Sequence, residues 1–348
     1  MTVTSLLGRL GVGFQGLAAL LAMLLVVAGG AYAQQPTSVN PTASSVKEQQ
    51  LLDALKGSRD ATPAVAGRIS IPDQRARNLI QPAGQDFRYT HQVTLPRVGM
   101  AAIIGMLVLL LFFFIRRGRI RVSSGLSGTS VVRFGSFERF NHWMTAVSFI
   151  LLALTGLNLT FGKSFVLPLV GAEKFASLTQ LGKFVHNYVS FAFALGIALM
   201  FLLWIKDNLP LPRDVKWLAQ GGGLIGNQHP PAGRFNGGQK ILFWAVILGG
   251  GGLAYTGYHL MFPFQFADVG GLQWYGVLHG LIGVVMVAII LGHIYIGSLG
   301  MQGAFSAMGS GKVDVNWARE HHSIWADKVI TRAPPAGKSA SAKPQPAE

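Results

Sequence analysis

Two histidines, His279 and His293, lie fourteen residues apart in one long apolar stretch. In an α-helix this separation is a rise of about 21 Å and a net rotation of about 40°, so both imidazoles face one side of the helix at two depths. His142 and His186 lie near the ends of two other apolar stretches and supply one facing partner for each. Neutral imidazole is a common iron ligand. The spacing therefore predicts two bis-histidine haems stacked across a membrane.

The composition is typical of a polytopic membrane protein. Half of the 348 residues are hydrophobic, only 12% are charged, and the mean hydropathy is +0.42. The 29 Lys and Arg residues outnumber the 14 Asp and Glu residues, but they cluster beside the ends of apolar segments, which favours membrane topology over nucleic-acid binding. The chain has no cysteine, which excludes thiolate-bound iron–sulfur clusters, disulfides and covalent c-type haem. A redox cofactor is therefore predicted to be held by histidine.

The first 33 residues resemble a secretory signal peptide. Arg9 is followed by an apolar run over residues 17–28 and by the A-x-A arrangement at residues 31–33, which predicts cleavage before Gln34. The alternative is an uncleaved first transmembrane helix over residues 6–28. Residues 34–97 are polar and lack sustained periodicity, so we predict an external segment without a substantial core.

Five further apolar stretches are each near the ~20 residues that cross a bilayer as a helix. They cover residues 98–115, 140–161, 184–205, 241–262 and 274–300. We therefore predict an all-α integral membrane protein. A four-helix di-haem bundle over residues 140–300 is preceded by one extra N-terminal transmembrane helix over residues 98–115.

The distribution of basic residues orients these helices. The linker 116–139 carries six arginines against a single acidic residue, whereas the connection 263–273 has no Lys or Arg. The positive-inside rule then predicts that the linker 116–139 and the tail 301–348 are cytoplasmic, and that the segment 34–97 is periplasmic. The predicted location is the bacterial inner membrane, with several spans and a cytoplasmic C-terminus.

Orientation gives each histidine a depth. His142 and His293 lie near the cytoplasmic ends of their helices, whereas His186 and His279 lie near the external side, so we predict an inner and an outer pair. His259, in the string TGYHLMFP, is an alternative outer ligand in place of His186 or His279.

Other residues are weaker candidates. Four histidines in polar segments are predicted to be solvated: His91, His229, His321 and His322. Four helix glycines could let a flat ring approach the backbone, although small residues are common at helix contacts in lipid: Gly156, Gly196, Gly257 and Gly283. Three arginines could pair with haem propionates at the inner face: Arg133, Arg139 and Arg234.

Several strings together resemble the γ subunit of membrane-bound formate dehydrogenase, a di-haem b-type cytochrome. They are RFNHW at residues 139–143, FNGGQKILFW at 235–244, WAREHHSIW at 317–325, and the pair His279 and His293. The similarity runs from about residue 134 to 328, and the external segment and extra helix resemble the longer form of that subunit. The resemblance implies two haem b, with His186 and His279 ligating the outer one and His142 and His293 the inner one.

The resemblance also implies a quinone site formed by Asn236, Gly238, Gln239 and His293, with menaquinone or ubiquinone as substrate. The Asn and Gln amides can donate hydrogen bonds to a quinone carbonyl. From the residues alone, an ordinary helix start with Asn236 as N-cap is the favoured interpretation.

The implied function is electron transfer within a formate dehydrogenase complex. An iron–sulfur β subunit would supply electrons from the catalytic α subunit, and the two haems would carry them to quinone on the cytoplasmic side. The chain itself would not oxidise formate. Three alternatives stay open: the cytochrome b subunit of a nickel–iron hydrogenase or a thiosulfate reductase, a transporter or channel with histidine proton relays, and a passive membrane anchor.

Overall fold

The computed structural model describes residues 82–224 and 229–331. The predicted signal peptide, residues 34–81 of the predicted external segment and residues 332–348 of the tail lie outside the described residues.

The regular structure of the described residues is helical apart from one short two-stranded ribbon and an isolated bridge between Ile120 and Met301. The α-helices are α1 (Pro82–Tyr89), α2 (Leu95–Arg117), α3 (Ser136–Phe165), α4 (Leu167–Val170), α5 (Ala172–Trp204), α6 (Pro212–Ala219), α7 (Gly237–Met261), α8 (Val269–Tyr295), α9 (Ser306–Gly309), α10 (Val315–His321) and α11 (Ser323–Ile330). Single turns of π-helix (Thr90–Thr94, Ile296–Gly300) and of 3₁₀-helix (Ile205–Asn208, Gly221–Gly223) join some of them. Strands β1 (Ser130–Val132) and β2 (Lys312–Asp314) pair antiparallel, with Val131 opposite Val313.

Five helices in the described ranges are long and apolar enough to cross a membrane. These spans are Gly84–Arg117, Ser136–Phe165, Ala172–Asn208, Gly237–Met261 and Val269–Gly300. They correspond to the five apolar stretches of the sequence, in the same order. The predicted all-α membrane fold is confirmed.

The third span begins earlier than its hydropathy indicates. Helix α5 starts at Ala172, whereas the apolar stretch starts at residue 184. The first turns of α5 contain Glu173, Lys174 and Lys183, so they are helical without being apolar. Hydropathy marks the part of a helix that is suited to lipid, and the helix itself can continue into water. His186 therefore lies well inside its helix and not at its start.

Four of the spanning helices form a closed bundle. Helix α3 packs on α5, α5 on α7, α7 on α8, and α8 returns to α3. The middle of the bundle is filled by Phe149, Phe193, Ile197 and Met286. Because lipid tails are as apolar as these side chains, close packing rather than exclusion from water holds such helices together.

Helix α2 lies outside this ring, against α8. Gly99 of α2 is buried, and a Cβ atom at that position would lie 2.8 Å from Cγ1 of Val284 on α8. Only a residue without a side chain permits this approach. The far side of α2 exposes large apolar side chains such as Leu111 and Phe112, which suits contact with lipid.

One end of the bundle carries a folded layer, here called the basic end. It comprises residues 118–135, 205–224, 229–236 and 301–331, and includes the ribbon of β1 and β2 and the helices α10 and α11. Phe134, Trp204, Phe235 and Trp317 belong to its core of buried residues. The sequence predicted only a linker and a tail here, because each element is too short to show a clear period.

The contact at Gly99 predicts how α2 can be detached. We expect Gly99→Leu to force α2 away from α8, since overpacking typically costs about 1–3 kcal/mol. The chain has no cysteine, so Met106→Cys, on the face of α2 that lies beside Gly292 of α8, introduces a single thiol between the two helices whose labelling by a membrane-permeable maleimide can be timed. Gly99→Leu should accelerate this labelling several-fold.

Gly105 provides the matched control for that experiment. It lies on the same helix, but a Cβ atom there would have no neighbour within 4 Å. Gly105→Leu should leave the labelling rate unchanged. Equal labelling rates in the two leucine variants would show that Gly99 does not hold α2 in place.

Candidate functional site

The structure brings the imidazole rings of His186 on α5 and His279 on α8 close together. Their ring centroids lie 6.1 Å apart, and the ring planes are inclined by 64°. Both side chains are half-buried between the helices. We call this the outer pair.

A second pair, the inner pair, lies nearer the basic end. The ring centroids of His142 on α3 and His293 on α8 are also 6.1 Å apart, with an angle of 66° between the ring planes. Helix α8 therefore contributes one histidine to each pair, as the fourteen-residue spacing predicts.

Both separations fit two imidazoles on opposite sides of one metal ion. With a metal–nitrogen distance of about 2.0–2.1 Å, and about 1.1 Å from that nitrogen to the ring centroid, the two centroids lie about 6.3 Å apart. The observed 6.1 Å is close to this value in both pairs. The four histidines therefore fit two bis-histidine metal centres, such as haem irons.

Two threonines fix the orientation of the outer pair. Thr155 Oγ1 lies 2.7 Å from Leu151 O and 2.8 Å from His186 Nδ1. A carbonyl oxygen can only accept, so the hydroxyl proton is used there and the hydroxyl accepts a hydrogen bond from Nδ1–H. Thr256 Oγ1 lies 2.7 Å from Gly252 O and 2.8 Å from His279 Nδ1 in the same arrangement.

This hydrogen bonding determines the tautomer of both outer imidazoles. With the proton on Nδ1, the lone pair of Nε2 is free to bind a metal. An acceptor on Nδ1–H also makes the ring a stronger electron donor. Thr155 and Thr256 therefore leave Nε2 as the ring nitrogen of His186 and His279 that is available to a metal.

Each of these threonines is followed by a glycine that lies beside the same imidazole. A Cβ atom would lie 3.5 Å from His186 Cε1 at Gly156 and 3.3 Å from His279 Cε1 at Gly257. The other two candidate glycines have different neighbours. A Cβ atom at Gly196 would overlap the Thr145 hydroxyl, and one at Gly283 would lie 3.9 Å from Leu253.

A short internal repeat carries this arrangement and was missed in the sequence. Residues 152–159 read LALTGLNL and residues 253–260 read LAYTGYHL, with five of eight positions identical. The first copy lies on α3 and the second on α7, and each threonine contacts the histidine of the next spanning helix. A search for internal repeats could have found both threonines.

The inner pair is positioned differently. His142 Nδ1 is buried and has no hydrogen-bond partner in the described residues. The residues directly before and after His142 make hydrogen bonds instead. Asn141 Nδ2 donates to Gly196 O at 3.1 Å, and Trp143 Nε1 donates to Met308 O at 2.9 Å. The ring of His142 is therefore held through its backbone and by packing.

His259, the alternative outer ligand, belongs to neither pair. Its Nδ1–H donates to Tyr255 O of the same helix at 2.9 Å, and its ring centroid lies 4.4 Å from that of Tyr275. It is buried in an aromatic cluster beyond the outer pair.

Two of the candidate arginines form a network within the basic end. The buried Arg133 donates to Arg234 O at 2.8 Å and lies 5.0 Å from the ring centroid of Trp317. Burial, and secondarily Arg234, lower the pKa of Arg133 to about 9, which leaves it charged at neutral pH. Arg234 donates to both carboxylate oxygens of Glu138 at 2.7 and 2.9 Å and to Asp207 at 3.0 Å.

The third candidate, Arg139, donates to Gly309 O at 2.8 Å. All three guanidinium groups are thus engaged by groups of the chain itself. These contacts hold the basic end against the inner ends of the helices.

The FNGGQK turn forms the start of α7. Asn236 Oδ1 accepts from Gln239 N at 2.9 Å, and Gln239 Oε1 accepts from Asn236 N at 3.2 Å, which is a reciprocal capping box. Gln239 Oε1 also accepts from Arg133 at 3.3 Å. The interpretation of Asn236 as an N-cap is confirmed. The cap uses the carbonyl oxygens of the two side chains and does not use their NH₂ groups.

The prediction that His321 and His322 are solvated is wrong. His321 is 8% exposed and His322 is fully buried, with its Nδ1–H donating to Gly233 O at 2.8 Å. Burial lowers the pKa of His321 to about 4 and that of His322 well below its ordinary value. The sequence around them is polar, but α10 and α11 fold over it and place Trp317 against both rings.

The other two histidines predicted to be solvated are half-buried. His91 lies in the π-helical turn between α1 and α2, with its ring 5.3 Å from that of Phe87. His229 lies 3.2 Å from Glu320, and its ring lies 5.2 Å from that of His321.

Comparison with known proteins finds a matching family and several relatives. The pattern of the family described as prokaryotic cytochrome b561 matches residues 133–311, which is about half of the chain and includes all four paired histidines. The cytochrome b556(fdo) subunit of formate dehydrogenase from Escherichia coli (strain K12) is 30% identical over 205 residues, which cover 58% of this chain and 93% of the relative.

Two further relatives carry similar names. The cytochrome b556(Fdn) subunit of the nitrate-inducible formate dehydrogenase from the same organism is 28% identical over 205 residues, covering 57% of this chain and 91% of the relative. The cytochrome b556 subunit of formate dehydrogenase from Haemophilus influenzae is 27% identical over 212 residues, covering 59% and 86%.

Proposed function

The chain belongs to the prokaryotic cytochrome b561 family, and from that premise we propose that it is the membrane cytochrome b subunit of a formate dehydrogenase complex. In this proposal it takes electrons from an iron–sulfur β subunit bound to a catalytic α subunit. It passes them through two b haems to a quinone. The observation that carries the proposal is the presence of two histidine pairs with the same 6.1 Å separation at two depths of one bundle.

The four paired histidines are the proposed axial ligands. His186 and His279 would hold the outer haem, and His142 and His293 the inner haem. Each haem would supply an iron that accepts and releases one electron. The chain's own contribution is to present Nε2 of each imidazole between apolar helices, where water is excluded and no competing ligand is available.

The two levels of ligation supply a route across the bilayer. His279 and His293 are separated by a rise of about 21 Å along α8, most of the ~30 Å hydrocarbon core. The basic end is rich in Arg, and the positive-inside rule supports a cytoplasmic location for it. Residues 34–97 would then be periplasmic, on the side where the iron–sulfur subunit would dock.

The proposed quinone site lies at the start of α7, with Asn236, Gly238 and Gln239, together with His293. The capping box supports it, because two carboxamides are fixed by their oxygens while their NH₂ groups can still donate to a quinone carbonyl. Arg133 also donates a hydrogen bond to Gln239 Oε1 at 3.3 Å. Menaquinone or ubiquinone would be reduced here and take up protons from the cytoplasm.

Haem quantification on the purified complex tests the ligand assignment. We expect two b haems per chain, and one after either His186→Leu or His142→Leu, because an apolar side chain cannot replace an imidazole ligand. The matched control is His259→Leu, which should keep both haems, since His259 lies outside both pairs. A haem lost in His259→Leu and retained in His186→Leu would contradict the assignment.

The hydrogen bonds of Thr155 and Thr256 predict the potential of the outer haem. Thr155→Val and Thr256→Val each remove an acceptor from an Nδ1–H group, which weakens electron donation to the iron and favours its reduced form. We expect the potential of the outer haem to rise by on the order of 20–60 mV, the equivalent of a net hydrogen bond for one electron. Redox titration followed by optical spectra measures this shift.

The control for the threonine experiment is Thr160→Val. Thr160 lies on the same helix as Thr155, but its hydroxyl donates to Gly156 O and does not contact either histidine of the outer pair. An equal shift in the Thr160→Val variant would count against a specific role for the two threonines.

Conservative changes separate the capping role from the quinone role. Gln239→Glu and Asn236→Asp retain the oxygens that cap α7 but remove the NH₂ donors. We expect KM for quinone to rise by about 2–10-fold, the equivalent of one hydrogen bond. Reduction of the haems by formate should be unchanged, which stopped-flow spectra of the complex can measure.

Gln302→Glu is the matched control for the quinone variants. Gln302 also lies in the basic end, and its side-chain oxygen accepts from Val122 N at 3.1 Å, so the same change preserves its role. An unchanged KM in both Gln239→Glu and Asn236→Asp would remove these two residues from the quinone site.

A further inference from the structure

We propose that His229, Glu320 and His321 bind a divalent metal ion of the zinc class in the basic end, apart from the two histidine pairs. Their ligand atoms, one from each residue, all lie within 4.8 Å of one another. His229 precedes α7, whereas Glu320 and His321 lie at the end of α10. The three residues come from two distant parts of the chain.

The distances in this cluster are close to those of a coordinated ion. His229 Nε2 lies 3.2 Å from Glu320 Oε1, and His321 Nε2 lies 3.9 Å from the same oxygen. In a tetrahedral zinc site with bonds of about 2.0–2.1 Å, neighbouring ligand atoms are about 3.3–3.4 Å apart. The two imidazole nitrogens also lie within 4.8 Å of each other.

The polar atoms of the cluster lack other partners. Glu320 Oε1 and His321 Nε2 are buried and make no hydrogen bond within the described ranges, and the His321 residue is 8% exposed. His229 approaches Glu320 Oε1 without hydrogen-bonding geometry. A buried polar atom without a partner costs about 1–3 kcal/mol, so such atoms call for a ligand. One ion would satisfy both.

A neighbouring contact orients the carboxylate. Glu320 Oε2 accepts a hydrogen bond from Ser123 N at 2.8 Å, which leaves Oε1 directed at the two imidazoles. Such outer contacts are a regular part of metal sites. A cavity of about 250 Å³, lined in part by Ser123 and His229, gives an ion a route to the cluster.

The donor set selects the type of ion. Two imidazoles and one carboxylate suit zinc and similar transition metals, whereas Mg²⁺ and Ca²⁺ require more oxygen ligands. Arg119 and Arg121 also line the cavity, and their positive charge opposes any divalent cation, so the binding energy must come from the three ligands themselves. The bound ion would tie the connection before α7 to α10 and so fasten the basic end.

The test uses the purified complex that contains the full chain. After treatment with a chelator, the complex is titrated with ZnCl₂, desalted and analysed for zinc by mass spectrometry. We expect the native chain to hold one more zinc per chain than the double variant His229→Gln/Glu320→Gln. Loss of an outer contact alone weakens metal sites by about 10–100-fold, so loss of two ligands should abolish the uptake. CoCl₂ as a second probe should add ligand-field bands to the visible difference spectrum of the native chain and none to that of the double variant.

Asp327→Asn is the matched control, because Asp327 is an exposed carboxylate on the neighbouring helix α11. It should bind zinc like the native chain. The haem spectrum reports whether each variant is folded and is independent of this site. Where the double variant lacks that spectrum, the single variant His229→Gln decides the question by its weaker zinc affinity. Equal zinc uptake in the native chain and the folded variant would overturn the proposal.

Discussion

An imidazole between apolar helices must satisfy two ring nitrogens where no water is available. The outer pair shows how much of the bundle follows from this constraint. Each Nδ1–H donates to a threonine hydroxyl, and each hydroxyl in turn donates to a carbonyl of its own helix, so that every proton in the chain of contacts has an acceptor. The one group left over at each ring of the outer pair is Nε2, and the two ring centroids lie 6.1 Å apart. The helix order, the register of the histidines and the glycine beside each threonine all serve this arrangement.

The two pairs meet this constraint in unequal ways, and the difference follows their surroundings. The outer pair lies between neighbouring helices, and threonine hydroxyls on those helices supply its hydrogen bonds. The inner pair adjoins the basic end, where His142 is held by its neighbours Asn141 and Trp143 and its Nδ1 has no partner in the described chain. The two histidine pairs therefore have different surroundings, although their residues are of the same type.

The lengths of the apolar stretches were sufficient to predict the five spans. The orientation given by the basic residues, with the spacing of His279 and His293, was sufficient to predict the pairing of His142 with His293 and of His186 with His279, because on long membrane helices these two properties determine depth and face. The threonines were missed because they contact histidines about 20 to 30 residues away across a helix–helix contact, and only their repeat in LAxTGxxL marks them. The burial of His321 and His322 was missed because it depends on contacts such as that of His322 with Gly233, 89 residues away. Short elements joined by long-range contacts leave no periodic signal.

Helix α8 is the last of the four helices of the bundle, and it provides one histidine to each pair. Neither pair can form until the ribosome has passed residue 293 and the fourth helix has been inserted. The first three helices alone present His142 and His186 as single ligands at different depths. The two histidine pairs therefore form late in biosynthesis. They form together, because the same insertion step completes both.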